Sequence, residues 1–225
     1  SAPIKQDDTG YVPTILRGVN EKQYKADKII SNASCTTNCV SPVTQIIEAE
    51  FGIRKAALTT VHSVTAEQNL VDSIPPGLHP DIRRGRSALA NIVPTTTGAA
   101  ISTAEVIPSI KGKFDGMAIR VPTVVGSLSD FTFLLKRKVT VEEVIKVFKK
   151  AAAGSHKGII EASEEPLVSS DIIKNPHSAI VDLTMTKVID GDLLKVLAWY
   201  DNEWGYSSRM AEMADLVGRQ LRAKS

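Results

Sequence analysis

Cysteine is scarce in this 225-residue sequence, which has only Cys35 and Cys39. A bridge between residues four apart would close almost no loop and stabilise little. A reducing, cytoplasmic setting therefore fits better than an oxidising one. Two thiols alone do not make a zinc site, and no further ligands stand at suitable spacing. No apolar run approaches the ~20 residues of a membrane span, and no basic-then-apolar leader is visible. Charge of one sign is lacking too: 27 Lys and Arg against 25 Asp and Glu leave a net charge of +2. That balance gives no general reason to expect nucleic acid or membrane binding. No two glycines are separated by a single residue, so the G-x-G-x-x-G dinucleotide fingerprint is absent, as is a P-loop. There is no repeat and no low-complexity tract. An initiator methionine is missing as well, and the opening Ser1-Ala2-Pro3 suggests a processed or truncated piece.

What is present supports a proper core. Apolar residues make up 43% and charged residues 23%, enough for one large domain or two small ones. The most informative stretch is Ser31-Asn32-Ala33-Ser34-Cys35-Thr36-Thr37-Asn38-Cys39. It follows a short apolar run, Lys28-Ile29-Ile30, and precedes helically spaced Val40, Val43, Ile46, Ile47 and Phe51. Cys35 thus falls at a strand-to-helix junction, where free amides favour an anion. This position is expected to lower the thiol pKa. A drop of ~2 units, worth ~2.7 kcal/mol, would make the thiol mostly thiolate. The plain alternative is a buried small hydrophobe. Against it stand the polar neighbours Ser34, Thr36 and Thr37, and a histidine ending the next strand.

Strands are expected over Val12 to Val19, Lys28 to Ser34, Ala56 to Val64, Phe114 to Val121, Ser127 to Arg137, Ala179 to Met185 and Leu193 to Tyr200. In the third, Leu58, Thr60, His62 and Val64 share a face. Pro42 either bends the helix after Cys35 or opens its regular part behind a Ser41 cap, and Gly52 is a natural stop. Gln68 to Gly85, with three prolines and two glycines, reads as a long loop of the kind that is usually functional. Ser87 to Val93 reads as a short helix, and Thr97-Gly98-Ala99-Ala100 opens another that runs to about Ile107. Thr140 and Glu143 form a capping box before an apolar helical stripe ending at Gly154. Asp190-Gly191 makes a tight hairpin turn, and a last helix runs from about Tyr206 through Met210, Met213, Val217 and Leu221. The pattern predicts an α+β domain: a largely antiparallel mixed sheet with helices packed on one face.

His62 is the natural partner of Cys35, since a strand returning beside the cysteine helix would bring imidazole to thiol. The alternative is a core histidine satisfied by a backbone carbonyl. Arg83, Arg84 and Arg86 cluster in the long loop, and Arg120 stands apart on a strand. Guanidinium matches phosphate with a two-pronged fork, although a solvated basic loop is the usual fate of such clusters. Thr95-Thr96-Thr97-Gly98 at a helix start is a second anion signal. Together with Cys35 it suggests an acyl or phosphoryl group held beside a thiol.

The stretch Ser31 to Cys39 resembles the phosphorylating glyceraldehyde-3-phosphate dehydrogenase family. The likeness continues through Thr59-Thr60-Val61-His62-Ser63, Arg83-Arg84-Gly85-Arg86, Pro94 to Ala100, Gly116 to Pro122 and Trp199-Tyr200-Asp201-Asn202-Glu203-Trp204-Gly205-Tyr206. The resemblance implies that Cys35 attacks an aldehyde to give a thiohemiacetal, that His62 moves the protons, and that phosphate cleaves the resulting thioester. It implies that Thr65 and Arg120 hold the substrate phosphate. Ser34, Thr36, Thr97, Gly98 and Arg84 would hold the attacking phosphate. Asn202 and Tyr206 would meet the nicotinamide of NAD or NADP. It further implies a tetramer. Residues 1–34 would be a remnant of a nucleotide-binding domain, 35–204 the catalytic domain, and 205–225 a helix that packs on the missing part. Cofactor binding and dehydrogenase activity by these residues alone are not expected. Glu67 departs from the threonine common at its position. Erythrose-4-phosphate dehydrogenase, from the segment Pro176 to Asp182, and a non-catalytic assembly fragment are the alternatives.

Overall fold

The computed structural model describes residues 6–7, 10–75, 77 and 81–222, with side chains from residue 11 onward except that of Leu221. Its centre is a seven-stranded mixed sheet. The strands are β3 (Ile53–His62), β4 (Val93–Thr96), β5 (Phe114–Arg120), β6 (Ser127–Leu135), β7 (Ile160–Ser163), β8 (Ala179–Ile189) and β9 (Leu193–Tyr200). They run in the order β4-β5-β3-β6-β9-β8-β7. A separate two-stranded ribbon joins β1 (Gln6–Asp7) to β2 (Gly10–Tyr11). Within the large sheet, β3/β5 and β7/β8 are parallel and the other four pairings antiparallel. The expected largely antiparallel α+β architecture is therefore what forms.

Residue choice explains the layering. In β6, Phe131, Phe133 and Leu135 are buried and alternate with half-buried neighbours, the two-residue period of a sheet with one packed face. Helix α1 (Cys35–Phe51) lays Val40, Val43 and Ile47 on that face. Helices α2 (Ala99–Val106) and α3 (Val141–Ala153) flank it, contributing Ala100 and Phe148 to the same core. Burying each large apolar side chain contributes about 1.5–3 kcal/mol. Helix α4 (Trp204–Arg222) instead packs Met213 on Ile15 and Tyr24 in a second, smaller cluster. Among the described residues no helix is long and apolar enough to cross a membrane.

Local signals hold where the chemistry is local. Ser34 caps α1, its Oγ accepting from the Thr37 amide at 3.1 Å. Gly52 ends the helix at φ +68°. Pro42 lies inside α1, so the regular helix begins at Cys35 and not behind Ser41. Thr140 Oγ1 accepts from the Glu143 amide at 3.2 Å, but the Glu143 carboxylate turns to Arg137 at 2.7 Å, so only half of the capping box forms. Asp190 and Gly191 take φ of +47° and +83° in the β8–β9 hairpin, the left-handed region such turns demand.

Three expectations are corrected. Val12 to Val19 and Lys28 to Ser34 are not strands; they meet in a single parallel bridge between Thr14 and Ser31. Asn20 draws the first segment into a turn, Oδ1 accepting from the Leu16 amide at 2.7 Å and Nδ2 donating to the Thr14 carbonyl at 2.9 Å. Ser87 to Val93 is a turn leading into β4 rather than a helix. The Asp72 carboxylate and the Leu70 carbonyl hold Ser87, and Pro94 biases the preceding Val93 toward extended backbone. The short edge strands β4 and β7 were not foreseen as strands.

Candidate active site

Sheet register brings the chemistry together. Parallel pairing sets His62, the last residue of β3, beside Arg120, the last of β5. Antiparallel pairing sets Tyr200 opposite Ser127 at the same end of the sheet. The first turn of α1 packs over this end. Ala33, just before the Ser34 cap, takes φ +52°, a left-handed conformation that costs alanine roughly 1–2 kcal/mol. It is held by Ser31 Oγ, which accepts from its amide at 3.1 Å, and by Tyr206, whose hydroxyl donates to its carbonyl at 3.3 Å.

Cys35 Sγ lies 3.4 Å from His62 Nε2. His62 Nδ1 lies 2.7 Å from the Ser63 carbonyl oxygen. Arg120 Nη1 stands 3.0 Å from the same nitrogen. The Ser63 carbonyl calls for a proton on Nδ1, which would leave the Nε2 lone pair facing the thiol, whereas the guanidinium, a donor only, calls for the other tautomer. Burial, assisted by the Arg120 charge and opposed by the Ser63 bond, pushes the His62 pKa down to about 4. The imidazole is therefore neutral at neutral pH and able to accept a proton.

The expected depression of the Cys35 pKa is overturned. Desolvation pushes this thiol up; the Thr36 hydroxyl and amide and the Arg120 charge only partly offset it. Its surroundings, assembled by long-range packing, outweigh the helix start. At rest the pair is thiol and neutral imidazole rather than thiolate and imidazolium. Cys39 is fully buried, and burial pushes its thiol up as well.

Nine of the eleven residues singled out from the sequence line one cavity of about 480 Å³: Ser34, Cys35, Thr36, His62, Thr65, Arg84, Thr97, Gly98 and Arg120. Arg120 Nη1 donates to the Ser63 carbonyl and to Thr65 Oγ1, each at 3.2 Å. Arg84 Nε donates to Thr95 Oγ1 at 2.9 Å, and Nη2 to the Thr96 carbonyl at 3.1 Å. Thr97 Oγ1 accepts from the Ala99 amide at 3.2 Å, at the start of α2. The Thr36 hydroxyl is 3.0 Å from the Tyr200 hydroxyl, which in turn is 2.8 Å from Thr60 Oγ1. Asn202 and Tyr206 do not line the cavity. Asn202 Oδ1 accepts from the Gly126 amide at 3.1 Å and from Ser127 Oγ at 3.0 Å, which leaves its Nδ2 as the remaining donor. A larger cavity, about 950 Å³ around Arg54, Lys55 and Phe114, holds neither cysteine nor histidine. Among the described residues no group of three or more His, Cys, Asp or Glu could hold a metal ion.

Thr60, which lines the cavity, and Tyr200 bonded to it were not among the expected site residues. Thr60 carried a signal: a hydroxyl on the same strand face as Leu58 and His62. Tyr200 carried none beyond its place in the Trp199 block, since its role depends on register across the sheet.

The mixed sheet thus carries a thiol–imidazole pair beside two arginines in one cavity. Residues 34–202 match the family model described as glyceraldehyde 3-phosphate dehydrogenase, C-terminal domain, and the chain belongs to this family. It is 50% identical over 222 residues to a glyceraldehyde-3-phosphate dehydrogenase of Mycobacterium tuberculosis, covering 98% of this chain and 63% of the relative. It is 48% identical over 223 residues to glyceraldehyde-3-phosphate dehydrogenase 2 of Streptomyces avermitilis, covering 98% and 64%. The chain thus spans just under two thirds of the length of these curated relatives.

Proposed function

We propose that this chain is the thiol-bearing domain of a dehydrogenase that oxidises glyceraldehyde 3-phosphate, with inorganic phosphate, to an acyl phosphate. The observation that carries this reading is the 3.4 Å approach of Cys35 to a neutral His62, inside an arginine-lined cavity. In the proposed sequence, Cys35 Sγ bonds to the aldehyde carbon while its proton passes to His62 Nε2. His62 returns that proton to the carbonyl oxygen, giving a thiohemiacetal, and takes it again as the thioester forms. The Cys35 amide, at the start of α1, and protonated His62 stabilise the oxyanion, a contribution often worth several kcal/mol. Thr65 and Arg120 hold the substrate phosphate. Ser34, Thr36, Thr97, Gly98 and Arg84 hold the phosphate that cleaves the thioester.

NAD or NADP supplies the hydride acceptor when bound. Asn202 fits its nicotinamide end, since Oδ1 is engaged by Gly126 and Ser127 and Nδ2 remains as a donor. The chain does not fit its phosphates, since no glycine-rich turn is available to cradle them. We therefore assign the nucleotide's phosphates to a nucleotide-binding half facing residues 1–34 and α4. We expect no turnover from these 225 residues alone.

A turnover assay with aldehyde, phosphate and either cofactor tests the reading. Acyl phosphate should form once a nucleotide-binding polypeptide is supplied and should vanish in Cys35→Ser. Activity that survives this substitution would contradict the assignment. Running the assay with erythrose 4-phosphate separates the two aldehydes. A homo-oligomer is the second part of the proposal, supported by exposed Leu70, Val71, Ile74 and Ile82 on the loop beside the site. Light scattering after size exclusion tests it, and a clean monomer would count against it.

A further inference from the structure

We infer that Glu67 is a built-in carboxylate competitor in the cavity's anion site, and that it makes the site select phosphate dianions over singly charged ligands. One oxygen, Glu67 Oε1, lies 3.3 Å from Arg84 Nη1 and 3.4 Å from Arg120 Nη2. This carboxylate is shared by two cations from separate elements, in the cavity that holds Cys35 and His62.

The three partners are unequally fixed. The Arg84 and Arg120 side chains are 21% and 14% exposed, and Glu67 is 50% exposed. Both guanidiniums are pinned by neutral acceptors: Thr95 and the Thr96 carbonyl for one, Thr65 and the Ser63 carbonyl for the other. If Glu67 swings toward solvent, the arginines stay where they are and the gap between them opens. Its bonds are also long for charge-assisted ones, which run about 2.7–2.9 Å. A phosphate offers three oxygens and up to two charges, so at either arginine it can replace the single shared Glu67 oxygen and engage the fork with two bonds. A carboxylate ligand would replace Glu67 like for like, and a ligand that gains nothing over the resident group shifts no equilibrium. The inference rests on the reading of this cavity as a phosphate-handling site and adds the residue that sets its charge preference.

Calorimetric titration of the 225-residue chain tests it without reference to turnover. Inorganic phosphate, glycerol 3-phosphate and acetate are titrated into wild type, Glu67→Gln and Glu67→Ala. Phosphate affinity is expected to rise roughly tenfold in both variants, the worth of two half-exposed ion pairs. Acetate should bind the variants and not the wild type. The phosphate probe that gains more shows whether the gap takes free phosphate or a substrate's phosphoryl end. Unchanged or weaker binding of both phosphate probes in both variants would overturn the inference. Failure of the functional reading is separate: it appears as turnover without Cys35, whatever the titrations give.

Discussion

His62 presents Nε2 to Cys35 Sγ at 3.4 Å while its Nδ1 is held by the neighbouring Ser63 carbonyl at 2.7 Å. The second contact orients the first. The Ser63 carbonyl and Arg120 Nη1, 3.0 Å from the same nitrogen, together hold the ring's orientation toward the thiol. Burial then keeps it uncharged, so the nucleophile is activated on encounter rather than stored as an ion pair.

The depressed His62 pKa makes stability depend on pH. The folded value is about 4 against an ordinary 6.5, so between these values the unfolded chain binds the proton and the folded chain does not. Stability is greatest above about pH 6.5 and falls as pH drops toward 4, by at most ~1.4 kcal/mol per unit from this residue. Buried His156 and half-buried His177 are shifted in the same direction. Urea unfolding at pH 5 and pH 7 should show a smaller difference for His62→Gln than for wild type.

Tyr200 is a buried hub whose hydroxyl serves Thr36 and Thr60. Tyr200→Phe removes a partner from both, and a buried polar group left short of a partner costs about 1–3 kcal/mol. Thr60 keeps its bond to the Leu128 carbonyl at 3.3 Å, so the loss should sit at the lower end of that range. The urea midpoint measures it.

Asn202 Oδ1 ties the Gly126 amide and the Ser127 hydroxyl together at the head of β6. Asn202→Ala should therefore destabilise the fold by about 1–3 kcal/mol, before any effect on a cofactor. Thermal unfolding of the variant in the absence of nucleotide checks this.

Much of this was legible in the sequence because its causes are short-range. Cys35 at a helix start, Gly52 stopping that helix and Asp190-Gly191 turning β8 into β9 need only a few neighbouring residues. So does the alternation that places Thr60 and His62 on one face. The Cys35 pKa was not legible. A helix start is local, but the desolvation that outweighs it depends on distant segments closing over the thiol, with Tyr200 standing 165 positions along the chain. The strands expected over Val12 to Val19 and Lys28 to Ser34 failed because Asn20 competes for backbone groups that a ladder would use. The Glu67 bridge was likewise hidden, since Arg84 and Arg120 meet it only through the fold.

The central claim is that Cys35 is the nucleophile and that His62 takes its proton. Brief alkylation with iodoacetamide, followed by peptide mapping across a pH series, tests it in wild type and His62→Gln. The label should fall on Cys35 and spare buried Cys39. Because burial raises the thiol pKa, the wild-type rate should still be climbing at about pH 9. At neutral pH, His62→Gln should be slower by roughly 10²-fold. Labelling of Cys39 ahead of Cys35, or an unchanged rate without the imidazole, would contradict the account.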